Sequence, residues 1–127
     1  MTPREVILAF IEAINSHDLT ALRDLMIDDH AFIDAHGNQV VGREPMLGGW
    51  RGYFEWFPDY WIEVTDIFEK ESRFAMSGFA GGSFKGKSDQ SWRLPAAWKA
   101  VVKDDRVALW QVFADTKIPF EIITRNS

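Results

Sequence analysis

The 127 residues suffice for one domain and are too few for two of ordinary size, so a single domain over residues 1–127 is expected. Apolar residues make up 46% and charged residues 26%, a globular composition and not a disordered one. A net charge of −5 argues against the broad basic face that a phosphate backbone requires, and no apolar run reaches the roughly 18 residues of a membrane span. Neither nucleic acid nor membrane is therefore expected as a partner. The opening MTPREVILAF lacks a basic segment followed by an apolar stretch and a small-residue cleavage site, which makes a cytoplasmic location the expectation. The absence of cysteine excludes disulfides, a thiolate nucleophile and Cys-ligated zinc. Ten Phe, six Trp and two Tyr exceed what a small core needs, and point to an interface or a lined pocket, against the plainer reading of an aromatic core.

The chain opens on a capped helix. Thr2 and Glu5 stand at capping-box spacing with Pro3 at the first helical position, and Val6, Ile7, Phe10, Ile11 and Ile14 recur along one face. Asn15, Ser16 and His17 break it, and Asp18 caps a second helix carrying Leu19, Leu22, Leu25 and Met26. His30–Ala35 reads as a strand with His30, Phe32 and Asp34 on one face, followed by a turn at Gly37 and Asn38. A third helix starts after Gly42, tolerates Pro45 in its first turn and ends before Pro58. Gly48, Gly49 and Gly52 weaken that helix, which suggests close approach to another surface. Segments 60–69, 73–84, 90–103 and 106–116 carry strand patterns, with Gly81, Gly82, Gly86 and Ser88 marking a flexible stretch between the middle two. Asp104 and Asp105 mark a tight hairpin turn. Trp92, Leu94, Ala96, Trp98, Ala100 and Val102 form one apolar stripe. Helices followed by a long antiparallel sheet define an α+β class.

That order, with FIEAINSHDLTAL at the first helix joint, DDHAFIDAHG, GREPM opening the third helix and KDDRVALWQVFAD at the final strands, resembles the nuclear transport factor 2-like superfamily. Within it the chain is similar to SnoaL-like polyketide cyclases and ketosteroid isomerases. The resemblance implies a cone-shaped, barrel-like domain in which three N-terminal helices pack on a strongly curved, mostly antiparallel sheet enclosing a pocket. It also implies that Asp34 stands where ketosteroid isomerases keep their proton-shuttling base. Phe10 stands where those enzymes have a Tyr, and Trp98, or Ala97 one place away, where they have a protonated Asp. Both oxyanion donors are missing, and one lost donor can cost roughly 2.7–4 kcal/mol, which argues against ketosteroid isomerase chemistry. Val112 stands where the superfamily's epoxide hydrolases carry a water-activating Asp, which argues against epoxide opening. Cyclase or isomerase chemistry on a carbonyl compound is the surviving catalytic reading. Its alternative is a non-catalytic ligand-binding or dimerisation domain.

The candidate catalytic residues are Asp34 and His30. A carboxylate in an apolar cavity beside Phe32 has its pKa raised toward general-base values; the competing reading is a turn Asp tied to backbone. His30 lies roughly 13 Å from Asp34 along an extended strand, as a second acid, a ligand contact or a histidine satisfied by backbone. With His36 these residues alternate as in a metal facial triad, but an extended strand spaces them too widely for one ion. No metal and no cofactor are expected. Trp50, Tyr53 and Phe57 share a helix face and form one candidate wall for a flat hydrophobic ligand, with Trp92, Trp98, Trp110 and Val112 opposite and Phe10 above. Leu109, Gln111, Phe113 and Asp115 lie on the other face of the last strand, where the resemblance implies a homodimer interface.

Overall fold

The computed structural model describes residues 1–126. Helix α1 (Pro3–Asn15) starts at the expected capping box, with the Thr2 side chain and the Glu5 side chain each accepting from the other's backbone N–H. Val6, Ile7, Phe10, Ala13 and Ile14 form its buried side. Asp18 caps helix α2 (Leu19–Asp24) by accepting from Ala21 N. His17, between the two, takes a left-handed backbone with φ 54°.

The first strand begins earlier than its sequence suggests. Strand β1 (Met26–Ile33) takes up Met26, which helical spacing had assigned to the second helix. Its partner β2 (Gln39–Val41) is a short strand that the pattern did not disclose. Helix α3 (Arg43–Trp56) follows, then β3 (Trp61–Lys70), β4 (Arg73–Ser83), β5 (Ser91–Lys103) and β6 (Arg106–Ala114). A further helix, α4 (Lys117–Arg125), follows β6 and was not expected. The strands form one six-stranded sheet in the order β2-β1-β6-β5-β4-β3, antiparallel throughout except for the parallel pair β1 and β6. Register shifts interrupt β1–β6, β3–β4 and β5–β6.

The β5 stripe behaves as its alternation dictates: Trp92, Leu94, Ala96, Trp98, Ala100 and Val102 are all buried, while Arg93, Pro95 and Lys99 between them are exposed. α1 lies against β3, β5 and β6, and α3 against β1 and β2, so the helices share one apolar core with this face of the sheet. Asn15, at the end of α1, closes the edge of that sheet. Its amide donates to Ile62 O at 3.0 Å and accepts from Ile62 N at 2.8 Å, satisfying backbone groups that an edge strand leaves open. Asp104 and Asp105 both have positive φ, 53° and 61°, as a two-residue hairpin turn demands.

Two glycine expectations need correction. A Cβ at Gly48 or Gly52 would meet nothing within 4 Å, so these helix glycines do not serve a close approach. Nor do Gly81 and Gly82 lie in a flexible stretch: both are buried inside β4. Close approach occurs in the sheet, where a Cβ on Gly78 would sit 1.8 Å from the Glu63 carbonyl oxygen.

Candidate functional site

The buried face carries three chains of rings. In the first, Phe10 on α1 lies 4.9 Å from Trp110 and 6.2 Å from His30, and Trp110 lies 6.4 Å from Trp98, centroid to centroid. In the second, Trp50 packs on Phe54 at 5.5 Å and edge-on to Phe32 at 6.0 Å, and Phe54 stacks on His17 at 4.0 Å. In the third, Tyr53 meets Phe57 at 5.0 Å and Tyr60 at 4.9 Å, while Phe57 meets Trp92 edge-on at 5.4 Å and Phe84 at 6.1 Å.

The grouping differs from two facing walls. Trp92 meets Phe57, the residue that caps the end of α3, and Trp110 meets α1 at Phe10 with Trp98 behind it. Val112 is half-buried beside Trp98, its register partner across β5 and β6. The rings therefore pack on one another between helices and sheet. Concavities at the surface lie elsewhere: a groove of about 300 Å³ at Phe68, Glu69, Arg73 and Lys99, and another of about 360 Å³ at Asp28, Asp29, Lys103 and Arg106.

Asp34 faces its own turn. Its Oδ1 accepts from His36 N and Asn38 N, both at 2.9 Å, and its Oδ2 accepts from the Asn38 side chain at 3.2 Å. The backbone adds Asp34 N to Asn38 O at 2.9 Å and Gly37 N to Asp34 O at 3.0 Å. The sequence Asp-Ala-His-Gly-Asn dictates this: a short carboxylate reaches forward to successive N–H groups, and Gly37 supplies the positive φ of 85° that the reversal needs. Of the two readings the sequence left open, the structure has the backbone-tied turn and not a carboxylate free in an apolar cavity. His36 points to the other end of the chain, with its Nε2 2.7 Å from Thr116 Oγ1 and its ring 5.5 Å from Phe120 of α4.

Among the described residues His30 is the one buried His, Lys, Arg, Asp or Glu, at 0% exposure. Its Nδ1 lies 2.8 Å from the Val107 carbonyl oxygen on β6. A carbonyl only accepts, so Nδ1 carries the hydrogen, and burial holds the ring's pKa below the ordinary histidine value despite that bond. His30 is thus neutral, with a bare lone pair on Nε2. Among the described residues that atom has no partner, and neither do the buried N–H groups of Trp50 and Trp92. Burial also raises the hydroxyl pKa of Tyr53, with Tyr60 adding to it, and that of Tyr60, so both phenols stay protonated as donors. Among the described residues no cluster of three or more His, Asp or Glu is placed to hold a metal, since His30, Asp34 and His36 are each engaged separately.

Sequence reasoning missed two contributors. His17 read only as a helix breaker, yet its Nε2 donates to the Tyr60 carbonyl at 2.7 Å and its ring supports Phe54. Asp59 holds the turn after α3 to the end of β4 through Ser83 N at 2.8 Å and Ser83 Oγ at 2.6 Å. Slight burial pushes its carboxyl pKa up, but the bonds from Ser83 outweigh that and pull it below the usual value. Neither pairing leaves a sequence signal, because each spans residues far apart in the chain.

The fold is an α+β domain with an aromatic core beneath its helices, and sequence comparison gives the family. Residues 7–110 match the model of the SnoaL-like domain, and the chain belongs to that family. No curated protein matches the chain in a sequence search. Solved structures share the NTF2-like fold at low identity. IdmH of Streptomyces antibioticus, a polyketide cyclase candidate, is 24% identical, with a TM-score of 0.79 over 98% of this chain and 99% of its own. A Catenulispora acidiphila protein of ketosteroid isomerase-like fold, solved in complex with trimethylamine, is 20% identical, with a TM-score of 0.77 over 86% and 84%. TerC, co-crystallised with polyporic acid, is 15% identical, with a TM-score of 0.81 over 96% and 98%. Among the described residues no helix is long and apolar enough to cross a membrane.

Proposed function

We propose that this chain, as one SnoaL-like domain over 1–127, binds a flat, largely hydrophobic small molecule among the aromatic side chains between its helices and sheet. The observation that carries the reading is the set of buried polar atoms without partners: His30 Nε2, Trp50 Nε1 and Trp92 Nε1. Each unmade hydrogen bond in such surroundings costs about 1–3 kcal/mol, which a ligand with matching polar atoms would return. The rings pack on one another there, so binding displaces some of them. The bulges at the register shifts, which bend strands, support the cone shape expected of the sheet.

Binding is better supported than catalysis. A cyclase or isomerase with Asp34 as base needs that carboxylate turned inward, and three hydrogen bonds hold it in the turn. In a catalytic reading His30 is the better base, because its lone pair already lies inside.

The test is a thermal-shift screen against polycyclic ketones and phenols. Ligand at 100 times its Kd stabilises the fold by about 2.7 kcal/mol, a shift of several degrees for a domain of this size. Trp98→Ala, which removes a ring that is 2% exposed, should abolish the shift. It should also cost about 3–5 kcal/mol of stability, so affinity is compared below that variant's own melting range. A flat response across the panel would leave the interior as a packed core only.

We further propose that the outer sheet face pairs two copies of the chain. Phe113, 48% exposed and registered opposite Ala97, supports this.

A further inference from the structure

We infer that His30 is the hydrogen-bond acceptor for a hydroxyl group on an uncharged ligand, and that it thereby selects which small molecules the interior admits. The inference rests on the ligand-binding reading above and adds the chemistry of what is bound.

The tautomer comes first. Val107 O, 2.8 Å from Nδ1, obliges that nitrogen to donate, so the opposite nitrogen is left as an acceptor. No protein donor serves it. The other buried side-chain atoms without a hydrogen bond among the described residues, Trp50 Nε1, Trp92 Nε1 and Arg43 Nε, are all donors, and none of them reaches His30; Arg43 Nε faces Glu44 Oε2 at 3.6 Å instead. The ring of Phe10, 6.2 Å away, has no donor to offer.

A lone water is a poor occupant. A buried water makes about three hydrogen bonds, and the ring of Phe10, 6.2 Å from that of His30, offers it none. A cation is also disfavoured. Among the described residues the only buried polar or charged side chains are His30 and Ser83, so no carboxylate is there to offset a positive charge. A carboxylate ligand has no proton to give. What suits the lone pair is a neutral donor on an otherwise apolar, ring-shaped body, and the O–H of a phenol or an enol supplies one.

The test uses 2-naphthol, its methyl ether and naphthalene, titrated calorimetrically into the wild-type chain and into His30→Phe. That substitution keeps a ring of similar size and removes the acceptor. Naphthol should bind wild type roughly tenfold more tightly than its ether, the value of one well-made hydrogen bond. In His30→Phe the two should bind alike, with the ether's affinity unchanged within a few-fold. Nitrogen-15 NMR of the wild-type histidines supplies a check that needs no variant: Nε2 of His30 should be unprotonated in the free chain and should shift on naphthol binding. Equal affinity for naphthol and ether, or a proton on Nε2 in the free chain, overturns the acceptor role while ligand binding stands. If neither these compounds nor their three-ring homologues bind, the ligand-binding reading fails and takes this inference with it.

Discussion

His30 lies inside β1 and Asp34, four residues on, lies in the turn that follows it, and their surroundings give them opposite roles. The Asp34 carboxylate is consumed by local geometry, so its loss should be felt as stability. Asp34→Ala removes the acceptor for His36 N, Asn38 N and the Asn38 amide, and should cost about 1 kcal/mol in a urea titration while ligand affinity stays the same. A drop in affinity of tenfold or more would restore Asp34 to the site. For His30 the expectation concerns pH. A histidine in the unfolded chain titrates near 6.5, and burial holds the folded value lower. Above about pH 6.5 both states are neutral and this group's stabilising effect is complete. As pH falls, the unfolded chain takes up the proton first, and stability declines by up to about 1.4 kcal/mol per pH unit until the folded pKa is passed. The carboxylate shift at Asp59 acts only at pH values near and below 4, clear of this window. Urea midpoints should therefore fall between pH 7.5 and 5.5 in wild type. In His30→Phe this part of the slope should vanish, and an equal slope in both would deny the neutral buried form.

Among the elements, legibility followed how local the cause was. The first helix, its capping box, the β5 stripe and the Asp104–Asp105 turn were readable because each rests on residues within a few positions of one another. β2 was not: three residues with only Val40 partly buried carry no period, and they pair because β1 lies beside them. The extension of β1 back to Met26 is also a tertiary effect, since Met26 pairs with Val107 although its spacing fits the helix before it. α4 had a usable sign, Ile118 and Ile122 at helical spacing with Pro119 in the first turn, and could have been read. The glycines mark the limit of such reading. Composition singled out the α3 glycines, whereas the demanding one is Gly78, whose missing Cβ lets β3 pass beside the register shift at Val64 and Asp66. Gly78→Ala should destabilise by about 3 kcal/mol in a urea titration, because backbone and not a flexible side chain stands in the way. A change within 0.5 kcal/mol, the ordinary range for a harmless substitution of about this kind, would mean that the two strands separate freely there.

At the scale of the molecule the aromatic surplus has two destinations, and they separate what sequence could say about the site from what it could not. Phe10, Trp50, Phe57, Trp92, Trp98 and Trp110 are buried together, as their periodicity required, but no pattern discloses that the rings interlock or that His30 keeps a free lone pair. Periodicity places a side chain on a face; partners across the core are fixed by the register of strands far apart in the chain. Three other aromatics lie outside that cluster. Phe68, Phe79 and Phe113 are on β3, β4 and β6, with Phe79 under the Arg93 guanidinium at 4.0 Å and Phe68 and Phe113 at 68% and 48% exposure. On the outer face Phe113 neighbours Ala97 and Leu109 neighbours Val101, with the Lys99–Gln111 pair between them. If two copies pair through this face, a carboxylate in place of Phe113 must be desolvated once in each copy, which opposes association twice over. Phe113→Glu should therefore sediment as a monomer at concentrations where wild type is a dimer, with an unchanged melting profile at high dilution. A wild-type monomer, or a dimer that survives the substitution, places the interface elsewhere or removes it, and leaves the interior site to act within one chain.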